Sequence, residues 1–340
     1  MLGLNNLKAA FSMTESEVEC PVQGCNTVVR RRRRGDKEPR NTFLCKACNI
    51  NVFPSTFEYV NEADNLLWTA KDDVGLLDVI KKYKAETRRL GHDNSEDAVT
   101  WNVFRHFDRS KQSQLLLSHL TGRSGTKACE VIYWSFSPVN GRPWQPLVEA
   151  RLEFGEAATP EDAKYGKNKV SEPDLILLTD DELIFVEAKF GSGNKTPAKL
   201  ADAEARIKKP KRYLIGGNEW YAKVIENSFE MVMRDQKYEL LRFWLLGSWM
   251  ADRLGKRFVL ANLVPRTKET AVEHVFGRHI RQTERRSFVR WEWESLEPLL
   301  ENQKDYDSLR LLAYLRNKTL GFAEDKVHRI ARPKRAFSFA

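Results

Sequence analysis

The sequence predicts an α/β chain in which a small cysteine-stapled module precedes a larger domain running helix, strands, helix and strand. Three observations carry this. Cys20, Cys25, Cys45 and Cys48 form two close-set pairs near the N-terminus. Apolar residues recur at helical spacing before and after a block that alternates at strand spacing. Two short apolar runs, Leu175 to Leu178 and Leu183 to Val186, flank Thr179-Asp180-Asp181, whose turn chemistry predicts an antiparallel hairpin.

The 340 residues are enough for one sizeable core with an accessory module. A balance of 56 basic against 47 acidic side chains, +9 overall, is compatible with a polyanionic partner without requiring one. No apolar run reaches membrane-spanning length: Leu240 to Ala251 is broken by Arg242 and falls short of about 20 residues. Met1 to Ser12 lacks the charged-then-apolar pattern of a signal peptide. Five cysteines, four of them close-set, read as metal-binding and intracellular rather than disulfide-forming, so the expected location is cytoplasmic with no membrane partner.

Taken in order, Cys20 and Cys25 make a C-x4-C pair and Cys45 and Cys48 a C-x2-C pair. Each pair presents two thiolates, and four satisfy the tetrahedral preference of a closed structural Zn2+ site, so the segment reads as a zinc ribbon. Between the knuckles lie Arg30, Arg31, Arg32, Arg33 and Arg34, which either grip phosphate oxygens or form a solvated charge run. Val74, Leu77, Val79, Ile80 and Tyr83 predict an amphipathic helix from Ala70 to Leu90, stopped by Gly91. Ser95 caps a second, from Glu96 to Phe107, and a third lies near Gln112 to Leu120.

Ala128 to Phe136 and Leu147 to Phe154 read as strands; in the latter, Glu149, Arg151 and Glu153 share the face opposite Val148, Ala150, Leu152 and Phe154. The hairpin follows, and then a basic cluster that includes Lys195, Lys199, Lys208 and Lys209, placed to contact a nucleic-acid backbone or to remain solvated. Arg234 to Arg253 reads as a helix crossing the sheet, and Arg257 to Val264 as a further strand. Phe288 to Trp293 predicts a strand, Leu296 to Asn302 and Tyr306 to Arg316 predict helices, and His328, Arg329, Arg332, Lys334 and Arg335 make a basic end.

Side chains alternate along a strand, so Glu187 and Lys189 share a face, and pairing across the turn brings Asp174 beside Glu187. Two adjacent carboxylates stay ionised together when a divalent cation lies between them, and oxygen ligands of this kind suit Mg2+ or Mn2+. A cation and an ammonium at a phosphate are the ingredients of phosphodiester hydrolysis.

Pro173-Asp174 and Glu187-Ala188-Lys189 on such a hairpin resemble the PD-(D/E)xK nucleases. The resemblance spans roughly 93–265 and implies a restriction-endonuclease-like α-β-β-β-α-β core with helical additions, the zinc ribbon preceding it. The implied division is 1–60 for the ribbon with its arginine-rich loop, 61–265 for the nuclease-like domain and 266–340 for a C-terminal extension with a basic tail. Asp174 and Glu187 would bind Mg2+, the carbonyl of Ala188 would add a ligand, and Lys189 would position the nucleophile. A helix before the sheet brings a further acid in this family, here Glu96, with Asp97 as the alternative. Gln236 and Tyr238 depart from the Gln-x-x-x-Tyr pattern of one branch.

The implied substrate is double-stranded DNA, in restriction or host defence. A homodimer is expected if both strands are cut. The alternatives are a nucleic-acid-binding protein without catalysis and a nuclease for RNA or structured DNA.

Overall fold

In the computed structural model, which describes residues 7–32, 35–84, 90–123, 129–165, 170–194 and 211–339, the predicted hairpin is the centre of a sheet. Strands Leu175–Leu178 and Glu182–Ala188 pair antiparallel in the register Leu175 to Val186 through Leu178 to Leu183. The Thr179 hydroxyl closes the turn by accepting the Glu182 N–H at 2.9 Å. Leu175, Ile176, Leu183, Ile184, Phe185 and Val186 are all buried, as strands covered on both faces require.

The sheet has seven strands. Arg286–Glu292 and Arg257–Val264 run parallel to Glu182–Ala188 on one side. Glu130–Tyr133 pairs antiparallel with Leu175–Leu178 on the other, followed by the short strands Phe136–Ser137 and Arg142–Pro143. Helix Tyr238–Arg253 lies across the sheet, with the Phe185 and Phe243 rings edge-on at 6.4 Å and those of Trp244 and Phe258 at 5.6 Å.

The chain divides into two compact units. The one just described comprises Lys71–Thr87 and Phe107–Glu292; the other gathers Met1–Ala70, Arg88–His106 and Trp293–Ala340. In the latter, Phe11–Ser12 pairs with Ile330–Arg335, which pairs in turn with Thr319–Asp325. The Phe322 ring meets Phe11 edge-on at 4.9 Å, so the end of the chain shares a core with Val18, Cys20, Cys45 and Phe57. Residues read as a basic end are thus half of a hairpin.

Three element predictions need correction. Leu147 to Phe154 is a helix, Gln145–Glu153, not a strand. Its apolar positions fit either period over so short a run, and Pro146 in the first turn favours the helix. The helix expected over Arg234 to Arg253 is two, Phe229–Arg234 and Tyr238–Arg253, interrupted where Gln236 takes a φ of 58°. The helix expected to reach Leu90 is Lys71–Lys81.

Candidate active site and metal centre

Asp174 stands directly before Leu175–Leu178, where Pro173 restricts the approach, and the hairpin register sets it opposite Glu187. Its Oδ2 accepts the Ala188 N–H at 2.9 Å and its Oδ1 the Trp134 indole N–H at 3.3 Å. The Asp174 carbonyl also accepts the Trp134 backbone N–H at 3.1 Å. Trp134 and Ser135 hold φ values of 41° and 77°, a left-handed turn that non-glycine residues adopt at a cost, and here it presents both Trp134 donors to Asp174.

Glu187 is 3% exposed and Lys189 9%. The two side chains form an ion pair, and the Lys189 ammonium also lies 3.5 Å from Glu239, in the first turn of helix Tyr238–Arg253. Burial pushes the Glu187 carboxyl well above the usual carboxylate range; Lys189 opposes the shift, while Asp174 and Glu239 add to it. A buried acid beside two others is a place where added positive charge is favoured.

Asn262 is in register with Glu187 on the neighbouring strand and accepts the Asn194 amide at 2.6 Å. Its own Nδ2 and the Asn194 Oδ1 are buried without hydrogen-bond partners among the described residues.

A polar network holds the chain leading to Asp174. Fully buried Arg151 donates to the Ser171 carbonyl, the Ala163 carbonyl at 2.7 Å and the Ser135 hydroxyl at 2.6 Å, tying the Trp134 turn to the segment that ends at Asp174. Ser171 also donates its N–H to Glu156 at 2.6 Å and its hydroxyl at 2.5 Å. Burial alone would raise the Glu156 carboxyl, but Arg242 at 3.3 Å and the Ser171 and Tyr213 donors outweigh it and hold it below the usual range.

The hairpin brings Asp174, Glu187, Ala188 and Lys189 together at one end. Glu96 opens helix Glu96–Arg109, where the Ser95 hydroxyl accepts the Ala98 N–H at 3.1 Å, and it belongs to the unit that does not contain the hairpin. Glu149 and Glu153 are exposed on a helix. Lys195, Lys199, Lys208 and Lys209 lie outside the described residues, as do Arg33 and Arg34.

Sequence reasoning missed Trp134, Arg151, Glu156, Glu239 and Asn262. Glu239 carried a signal, since it adjoins Tyr238 on the helix expected beside the site. The others are ordinary residues until the fold buries them.

The second site is the cysteine cluster. The sulfurs of Cys20, Cys25, Cys45 and Cys48 all lie within 4.8 Å of one another, and this is the one group of three or more metal-ligating side chains so gathered among the described residues. Tetrahedral zinc with bonds of about 2.3 Å sets sulfurs about 3.8 Å apart, and Cys25 and Cys45 stand at 3.6 Å. Burial raises the Cys20 thiol and pushes Cys48 up to about 12. At Cys25, burial is outweighed by hydrogen bonding with Thr27 and the value falls to about 6. The cluster can hold a metal such as zinc.

Arg30 pairs with Glu38. Arg31 forms a two-pronged bond with Glu324, both contacts 2.8 Å, and Arg32 lies over the Phe43 and Phe53 rings.

No known protein family, curated protein or solved structure matches this chain. No helix among the described residues is long and apolar enough to cross a membrane.

Proposed function

We propose that the chain is a divalent-cation-dependent nuclease that hydrolyses phosphodiester bonds of DNA. The observation that carries this reading is the convergence of Asp174, Glu187 and Lys189 at one end of the hairpin, with the two carboxylates raising the cost of each other's charge. Helix Glu96–Arg109, strands Glu130–Tyr133, Leu175–Leu178 and Glu182–Ala188, helix Tyr238–Arg253 and strand Arg257–Val264 follow in the order the PD-(D/E)xK resemblance implies, which supports a restriction-endonuclease-like core.

The residues fit a hard cation. Asp174 and Glu187 would hold Mg2+ or Mn2+, with the Ala188 carbonyl as a further ligand by resemblance. When bound, the cation supplies neutralisation of phosphate charge and a more acidic water. Lys189 orients the attacking water or offsets charge on the phosphate, steered by Glu187 and Glu239. Glu96 or Asp97 remains the further acid by resemblance, and Glu239 is the acid the geometry favours. In the ribbon, Zn2+ would take the four cysteines as a structural site. The arginine run and the lysines from Lys195 to Lys209 would hold duplex DNA in a cytoplasmic enzyme, a homodimer if both strands are cut.

One observation favours a binding protein without catalysis: both Asp174 oxygens and the Glu187 carboxylate already have protein partners. Supercoiled plasmid incubated with Mg2+, with Mn2+ and with chelator, beside Glu187→Gln and Lys189→Ala, separates the two readings. Nicked or linear product that requires the metal and both residues is expected. Plasmid that stays intact in both metals yet shifts in a gel would sink the hydrolytic reading, once RNA and branched DNA are also left uncut.

A further inference from the structure

The unit that carries the cysteine cluster contains a cleft of about 850 Å³, lined among others by Thr14, Ser16, Arg31, Arg32, Lys326 and Arg329. One wall comes from the ribbon and the other from the turn between Thr319–Asp325 and Ile330–Arg335. The walls are fixed to each other: the Met13 N–H donates to the Arg329 carbonyl at 2.9 Å, and Arg31 clamps Glu324 while donating to the Thr14 carbonyl at 2.7 Å.

Four cations and two carboxylates, Glu15 and Glu324, line this space. The Arg31 pair neutralises Glu324. Arg32 is held by ring contacts, which leave its charge intact. Lys326 and Arg329 are exposed. At Arg329 the backbone takes a φ of 54°, an unfavourable turn for a residue with a side chain.

Cations on both walls, Arg32 on one and Lys326 and Arg329 on the other, are donors of the kind that meet phosphate oxygens in nucleic-acid backbones.

We propose that this cleft docks the phosphodiester backbone of a nucleic acid, gripped by Arg32 from the ribbon and by Lys326 and Arg329 from the C-terminal hairpin. The C-terminal hairpin is then part of the binding surface. The inference rests on the functional reading above only in taking nucleic acid as the partner.

The test is fluorescence anisotropy of a labelled DNA duplex with the full chain, with no added Mg2+ or Mn2+ and no chelator so that the cysteine cluster keeps any metal it holds, over a series of salt concentrations. It compares the parent, Lys326→Ala with Arg329→Ala, and a charge-matched control, Lys71→Ala with Lys82→Ala, both exposed in the other unit. Losing two phosphate contacts should lower the slope of log Kd against log salt by about 2 and weaken binding at least tenfold, with the control unchanged. Equal affinity and slope in the cleft variant and the control would overturn the inference, as would a parent that binds no duplex at any salt. Cleft-dependent binding with plasmid, RNA and branched DNA all left uncut leaves the docking site standing and removes the hydrolytic reading. Glu187-dependent cleavage with unchanged binding by the cleft variant does the reverse.

Discussion

Asp174 accepts the backbone N–H of Ala188 at 2.9 Å, so the acid that begins one hairpin strand fastens the end of the other. One side chain therefore serves the fold and the proposed chemistry, and the two roles can be separated. Asp174→Asn keeps a carbonyl oxygen for Ala188 but loses the charge. Asp174→Ala leaves the Ala188 N–H and the Trp134 indole without that acceptor.

Asn still turns its NH2 toward the Trp134 indole N–H, so chemical denaturation should place Asp174→Asn about 1 kcal/mol below the parent and Asp174→Ala, which loses both acceptors, about 1–3 kcal/mol below it. Both should lose plasmid cleavage. Cleavage retained by the folded Asn variant would mean that the carboxylate charge is not used.

Gly247 faces the sheet from helix Tyr238–Arg253, and a Cβ there would collide with the Phe258 ring and come within 3.2 Å of Phe185. Gly247→Ala gains about 1 kcal/mol of helix propensity, but forcing the ring aside costs about 1–3 kcal/mol or more. A net loss of stability is expected in urea denaturation. An unchanged or raised midpoint would show that the helix stands further from the sheet.

The hairpin and the four cysteines were legible because each is a local pattern: alternation around a turn, and fixed ligand spacing. Leu147 to Phe154 was not, since Leu147, Ala150 and Phe154 fit a helix as well as their neighbours fit a strand, and burial of Arg151 could not be foreseen. The same limit hid the supports of the site. Arg151, Glu156 and Trp134 acquire their roles only when residues far apart in the chain meet around Ser171 and Asp174. The C-terminal hairpin was illegible for another reason: its charged strand, Ile330–Arg335, contains Pro333 and finds its outer partner at Phe11–Ser12.

Glu156 gives a prediction in pH. Its folded value lies below the ordinary 4.5. Its contribution to stability is therefore fully present above about pH 4.5 and is lost as the pH falls through the folded value. Glu156→Gln should cost about 3 kcal/mol at pH 7, because half-buried Arg242 loses the counter-charge of a fully buried carboxylate. The difference from the parent, measured in urea at pH 7, 5, 4 and 3, should hold to about pH 5 and shrink below it. A difference that stays constant down to pH 3 would contradict the assignment.

The cysteine cluster makes the last prediction. Burial favours the neutral thiol at Cys20 and Cys48, whereas a cation among the four sulfurs favours thiolates and removes that cost. Protein purified without chelator should contain about one zinc per chain by elemental analysis, released by a mercurial. Cys45→Ala should lower that to near zero and expose 7–70 to protease, because Cys45 shares its core with Val18, Ile50 and Phe322. A parent chain that carries no metal, and whose four thiols react freely with a thiol reagent under native conditions, would show that the cluster is packing alone.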